Sequence, residues 1–397
     1  MGNAFGVSKP RKKPMVWMEK NTVSLRQEFV HLARQDGVNV RALCRQFGIS
    51  PKTGYKWLSR FEASSGDVQT LQDRSRRPLS SPARSGDAVE QAVLALRREH
   101  PAWGGRKIAR RLMDLGQARV APSTVTHILH RHGLISPAAS DAARPWQRFE
   151  HDAPNSLWQI DFKGHFPTLA GRCQALTLLD DHSRFNLRLQ ALQRTDTPSV
   201  KVQLVQTFEV YGLPLRINAD NGSPWGTPKA TGQSLSELAV WLIRQGVRVS
   251  FSAPHHPQTN GKLERFHRTL DVEVLAGRHF ADIEAAQRAF DAWRPSYNCH
   301  RPHEALGLST PVQRYRPSDV LYSASLRAIE YPDTDCVVTV GWNGFVRFQG
   351  RKLHVSSALQ GLPIGIRPNS EADGVHDVYF CHQRFTQFDL REPAADT

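Results

Sequence analysis

The sequence predicts a multidomain chain: an all-α helix-turn-helix N-terminal region, an α/β core and a small all-β C-terminal domain. Three observations lead there. Helical periodicity punctuated by turn residues runs through residues 24 to 62 and again through 87 to 133. Strands followed by alternating helix and strand occupy 156 to about 300, and short alternating runs surround Asn343-Gly344. A length of 397 residues suits two to four domains, each burying its own core.

Residues 1 to 20 read as a disordered basic N-terminus. MGNAFGVSKPRKKP lacks the apolar stretch of a secretory signal, and Met15 or Met18 is an alternative start. Residues 21 to 63 form the first domain. Ser24 can cap a helix closed by Asp36-Gly37, Asn39 caps VRALCRQF, Gly48 turns, and Ser50-Pro51 starts a third helix. Helix, helix, turn, helix is the helix-turn-helix order, which places Lys52, Thr53, Tyr55 and Lys56 where such helices meet bases and phosphates. An ordinary three-helix bundle fits the same pattern.

Residues 64 to 86 lack periodicity and read as a basic linker. Its Arg74, Arg76 and Arg77 suit either a minor-groove arm or solvated charge. A second helix-turn-helix domain at 87 to 135 offers Thr124, Thr126, His127 and Arg131 as contacts, with Ser123 as a cap. Residues 136 to 155 form another linker.

In the core, 156 to 318, LWQIDFKGHF puts Trp158, Ile160 and Phe162 on one face and Gln159, Asp161 and Lys163 on the other. CQALTLLDD, FNLRLQAL, LRINAD and VRVSFSA read as further strands. VKVQLVQTFEVYG, LSELAVWLIRQG and about Gln258 to Leu275 read as helices. From 331 to 390, CVVTVGW and FVRFQG predict a hairpin about Asn343-Gly344, and DVYFCHQRFTQFDL another, together a small β-barrel-like domain. Arg347, Arg351 and Lys352 there suit DNA contact or dimer packing about equally.

Lys and Arg outnumber Asp and Glu by 52 to 37, a formal charge of +15, which favours a polyanionic partner such as nucleic acid. No apolar run reaches the roughly 18 residues that span a bilayer, so a soluble cytoplasmic protein associated with the nucleoid, and no membrane, is expected. Five scattered cysteines argue against a disulfide framework or structural zinc site. Without a GxxxxGK[ST] loop, phosphoryl transfer must draw on the substrate itself.

Asp161 on a strand, Asp220 at a strand end and Glu264 on a following helix can converge on one sheet edge. Each has a plainer reading: a solvent-facing strand residue, a turn former, or a partner for Arg268 one turn on. Phosphodiester chemistry needs attacking and leaving oxygens stabilised together, which two hard cations about 3.5 to 4 Å apart can do, and magnesium prefers carboxylate oxygens.

LWQIDFKGHF, LLDDHSRF, NADNGSPWGTP, PHHPQTNGKLERFHRTLDVEVL and YNCHRPHEALGLSTP, in this order, closely resemble bacterial insertion-sequence transposases of the integrase-like Asp-Asp-Glu type. The resemblance covers about 155 to 315. It implies a ribonuclease H-like integrase catalytic core in which Asp161, Asp220 and Glu264 are catalytic and hold two Mg²⁺ ions, with Mn²⁺ able to substitute. Water then cuts at the element's end, and the freed 3′-hydroxyl attacks target DNA. The partners implied are double-stranded DNA, as terminal inverted repeats and as target, with a homodimer or higher oligomer joining two ends. Lys262, Arg265 and Arg268, on the helix of Glu264, are expected near that DNA.

Two features depart from the retroviral relatives: no His-His-Cys-Cys zinc module precedes the core, and GTPKATGQSLSE lengthens the interval from Asp220 to Glu264. Asp271 stands where such enzymes usually place a lysine, so either Arg268 substitutes or end binding weakens. Asp180 and Asp181 are expected to shape a hairpin, His255 and His256 to contact DNA, and Gly261 to loosen a helix start. A DNA-binding regulator without catalysis and a nuclease that cuts without joining are the alternatives.

Overall fold

The structure, a computed structural model, describes residues 22–74, 85–135, 151–227, 234–252 and 261–391. The expected N-terminal arm, Arg76, Arg77, most of the 136 to 155 linker, His255 and His256 lie outside them. The chain divides into two compact units, residues 1–84 and 85–397.

The first unit holds α1 (Thr22–Ala33), α2 (Val40–Gln46) and α3 (Pro51–Ala63). Asn39 and Ser50 cap α2 and α3 as expected, their side chains accepting from Ala42 N and Thr53 N. Gly54 lets α3 approach α1: a Cβ there would lie 2.4 Å from Cys44 Sγ and 2.9 Å from the Phe29 ring. The unit runs past 63, because a 3₁₀ turn at Val68–Leu71 buries Leu71 in the same core and Arg26 donates to Leu71 O at 2.8 Å.

The second unit opens with α4 (Asp87–Glu99), α5 (Gly105–Asp114) and α6 (Pro122–Arg131) around Trp103, Ile108, Leu112 and Ile128. Ala121, not Ser123, precedes α6, and Pro122 takes the first helical position, where its missing N–H costs nothing.

The α/β core follows in the order β1 (Trp158–Thr168), β2 (Gly171–Asp180), β3 (Asn186–Leu192), α7 (Thr197–Tyr211), β4 (Arg216–Ala219), β5 (Gly226–Thr227), β6 (Ser234–Leu235), α8 (Glu237–Arg244), β7 (Arg248–Phe251), α9 (Gly261–Leu270) and α10 (Ile283–Pro295). Its sheet runs β3-β2-β1-β4-β7, with β1, β2 and β3 antiparallel and β4 and β7 parallel to β1. Apolar residues cover both faces. Trp158, Ile160, Leu176 and Leu178 pack with α7 and α8, while Cys173, Ala175, Leu179 and Leu189 pack with Leu263, Phe266, Leu270 and Phe290 from α9 and α10. Asp161 stands opposite Thr177 in the sheet register.

The C-terminal part comprises β8 (Cys336–Thr339), β9 (Phe345–Phe348), β10 (Arg351–His354), β11 (Pro363–Pro368), β12 (Val375–Phe380) and β13 (Gln383–Asp389). The β12–β13 hairpin is as expected, but Asn343-Gly344 does not join a hairpin. Strand β8 pairs with β11 and β9 with β10, so the turn links a four-stranded sheet, β13-β12-β11-β8, to a separate pair. The two-residue signal reports a sharp turn, and pairing is decided by the long-range partner. Val346, Phe348, Ile364, Val378 and Phe380 share one apolar cluster with the core helices. Among the described residues no helix is long and apolar enough to cross a membrane.

Candidate carboxylate active site

Parallel pairing of β1 with β4 places Trp158 beside Ile217 and Gln159 beside Asn218. Continued by two residues, that register brings Asp161, within β1, beside Asp220, just past the carboxyl end of β4, the kind of edge where open α/β sheets bind ligands. Asp220 Oδ1 accepts from Gly222 N at 3.1 Å, so this side chain is also a turn former. Asn221 and Asn218 tie the same edge to Ser252 beyond β7, donating to Ser252 O at 2.8 Å and to its Oγ at 3.1 Å.

Glu264 lies in the first turn of α9 and is exposed; among the described residues no ion pair engages it. Burial pushes the Asp161 carboxyl up to about 7, and the charges of Asp220 and Glu264 add to this against the Phe162 N–H, which donates at 2.8 Å. Burial also raises Asp220. Three oxygen-donor side chains, two of whose charges act on Asp161, are a donor set that suits hard divalent cations. Among the described residues, no three His, Cys, Asp or Glu side chains already converge on one ion position.

Two links that sequence reading missed hold α9 against β1. The Thr177 hydroxyl donates to Asp161 O at 2.9 Å, and His267 Nε2 lies 2.7 Å from Thr177 Oγ1. Since the hydroxyl proton is committed, His267 must donate through Nε2–H. Burial, reinforced by Lys163 and opposed by Asp271, holds His267 down at about 4, so the ring is neutral. Lys163 Nζ meets Asp271 Oδ1 at 2.7 Å, so the Asp271 carboxylate is paired with a cation of β1. The spacing of three residues between Glu264 and His267 was the one available signal, since such residues lie on neighbouring parts of a helix face.

The spare carboxylates have structural work. Asp180 accepts from Asn155 N, Ser183 N and Ser183 Oγ, closing the β2–β3 turn. Buried Asp181 accepts from Gln159 at 2.9 Å and His151 N at 3.1 Å and pairs with Lys262.

Of the expected DNA contacts, Lys52, Tyr55 and Lys56 are exposed on α3, as are Arg74, His127, Arg265 and Arg268. Others have partners inside the protein. Thr53 shares the Ser50 cap, its Oγ1 2.9 Å from Ser50 Oγ. Thr126 Oγ1 donates to Pro122 O at 2.9 Å beneath Gly105, and Thr124 is partly buried. Arg131 pairs with Glu90 at 2.7 Å, and Lys262 is occupied by Asp181. The YNCHRPHEALG segment braces the core: Asn298 accepts from Asn186 N at 2.8 Å and donates to Asn186 O at 3.0 Å, while Arg301 pairs with Glu273 at 3.1 Å.

The fold and this sheet edge define a helix-turn-helix protein with an integrase core. Family models agree along the chain: a helix-turn-helix domain at 25–78, a homeodomain-like domain at 53–129, integrase core domains at 151–257 and 245–311, and the C-terminal domain of IS481 family transposases at 335–396. The chain is thus similar, along most of its length, to bacterial insertion-sequence transposases. It is 27% identical over 161 residues to the insertion element IS407 uncharacterized 31.7 kDa protein of Burkholderia multivorans, covering 41% of this chain and 55% of that one. To the IS476 uncharacterized 39.2 kDa protein of Xanthomonas euvesicatoria it is 27% identical, covering 40% and 44%. It therefore spans about half the length of these curated relatives. A chain of the simian T-cell lymphotropic virus intasome, solved with a PP2A regulatory subunit, aligns at 17% identity over 75% of this chain and 96% of its own, with a TM-score of 0.37.

Proposed function

We propose that the chain binds the terminal inverted repeats of an insertion sequence, cleaves at the element's ends and joins the 3′-ends to target DNA. The reading is carried by one observation: Asp161 on β1 and Asp220 just past the carboxyl end of β4 meet within the field of Glu264. Both steps are displacements at phosphorus. Water displaces a 3′-oxygen at the element's end, and that 3′-hydroxyl then displaces a 3′-oxygen of the target strand. Asp161, Asp220 and Glu264 would hold divalent cations, Mg²⁺ or Mn²⁺, which when bound supply charge stabilisation to the attacking and leaving oxygens.

The remaining side chains orient and bind. His267 and Thr177 fix the helix of Glu264 relative to Asp161. Lys52, Tyr55 and Lys56 on one helix, and His127 on the other, present groups to duplex DNA, while Arg265 and Arg268 flank Glu264 towards the phosphates. Two ends must be brought together, so a dimer or larger assembly forms on DNA, at the nucleoid.

A second reading is a DNA-binding regulator without chemistry, in which the helix-turn-helix domains act alone. Incubation with duplexes carrying the gene's own flanking ends, target DNA and Mg²⁺ separates the two. Joined products from wild type and none from Asp161→Asn support the transposase. Tight end binding without product from either, in Mn²⁺ as in Mg²⁺, supports the regulator.

A further inference from the structure

The turn that opens β9 presents Trp342 to solvent, 76% exposed, and among the described residues no ring, cation or hydrogen bond engages its indole. Its backbone is nonetheless pinned. Asn343 and Gly344 have φ of 55° and 79°, Gly341 N donates to Phe345 O at 2.8 Å, and Val355 N donates to Gly344 O at 2.8 Å. A Cβ on Gly344 would lie 2.3 to 2.5 Å from the backbone of Ser356 and Ser357, so only glycine fits this close approach. A large apolar ring held out on a fixed stem contributes nothing to the core and is placed to meet a flat partner.

The neighbouring strand pair is basic. Arg347 stands opposite Lys352 and Phe345 opposite His354, while the alternate residues Val346 and Phe348 face inward. The Lys352 Nζ lies 4.4 Å from the Phe345 ring centroid. Between Asp335 and Glu371 the sequence has no acidic residue. Arg351 and Arg367 are engaged by Leu390 O and Asp335, whereas Arg347 and Lys352 are exposed on the strand pair that follows the turn. An exposed aromatic face followed in the same segment by the exposed Arg347 and Lys352 matches a nucleic-acid strand, whose phosphates bind the cations and whose bases stack. In a duplex each base is covered by its neighbours, so the indole requires an unpaired base.

We propose that Trp342 is the stacking platform for an unpaired DNA base, with Arg347 and Lys352 holding the phosphates beside it. The inference rests on the reading that this chain cuts and joins DNA, a reaction that exposes strand ends.

The test is fluorescence anisotropy on the full chain without metal, so that no chemistry intervenes. Two labelled probes are compared: a flush duplex with an element end, and the same duplex with an unpaired thymine tail. Wild type should bind the tailed probe more tightly. Trp342→Ala should lose roughly 5- to 150-fold of tailed affinity, the range of one stack, Trp342→Phe should keep most of it, and both should bind the flush probe as wild type does. Arg347→Ala with Lys352→Ala should weaken binding and flatten its salt dependence. An unchanged tail preference in Trp342→Ala, no tail preference in wild type, or a smaller assembly mass in Trp342→Ala with unaltered DNA affinity overturns the proposal, the last because the indole then covers a second copy. Tail binding through Trp342 in a chain that never cleaves would sink the transposase reading alone.

Discussion

The carboxamide of Gln383 on β13 reads the backbone of Val249 on β7: Oε1 accepts from Val249 N at 2.7 Å, and Nε2 donates to Val249 O at 2.8 Å. One side chain thus satisfies both polar groups of a residue on the edge strand, as a further strand would. The C-terminal sheet is fastened to the five-stranded core sheet next to the strand end that lies beside Asp220.

Gln383→Leu should therefore destabilise the chain by about 1–3 kcal/mol, because both backbone groups of Val249 lose their partners where water has poor access. The urea midpoint measures it. A midpoint within error of wild type would mean that the contact carries no weight.

His267 gives a pH signature. Its folded value, about 4, lies below the ordinary 6.5, so between those values the unfolded chain binds more protons and stability rises with pH. Its contribution is complete above about 6.5 and is lost as pH falls towards 4. Wild-type urea midpoints should therefore climb more steeply over that window than those of His267→Gln. Equal slopes would remove His267 from the titration.

Gly105→Ala tests the packing of α5 on α6. The added Cβ would sit 2.3 Å from Thr126 Oγ1 and 2.6 Å from Pro122 O, and the second atom is backbone that cannot swing aside. A loss of about 1–3 kcal/mol is expected, seen as faster hydrogen exchange in residues 105–131. Undiminished protection there would show that the helices can separate freely.

Salt titrations should sort exposed from occupied cations. Lys52→Ala and Lys56→Ala should each reduce the slope of log affinity against log salt by about 0.9. Lys262→Ala should leave the slope unchanged but destabilise the fold, since it strands the buried carboxylate of Asp181. A slope change in Lys262→Ala would place its ammonium on DNA.

What the sequence revealed and what it hid divides by range. Caps at Asn39 and Ser50, the alternation of Trp158 and Ile160, and the order of the three candidate carboxylates are local patterns, and local patterns are legible. The alternation put Gln159 on the face of Asp161 without showing what covers it; it is buried, because α9 and α10 cover that face of the sheet. The turn at Asn343-Gly344 was visible, but the pairing of β8 with β11 was not. Gln383 reaches Val249 across 134 residues, and Asn298 reaches Asn186 across 112. No periodicity records such contacts. The electrostatic field of Asp161 likewise arises from residues brought together only by the sheet.

The most direct test is single-turnover cleavage of a duplex element end at saturating protein and Mg²⁺, comparing wild type with Glu264→Gln. The variant should occupy the end with wild-type affinity while its cleavage falls by roughly 10²- to 10³-fold or more, the loss expected when an electrostatic contribution to the transition state is removed. Cleavage at the wild-type rate by Glu264→Gln, with equal occupancy of the end, would contradict a site built from Asp161, Asp220 and Glu264.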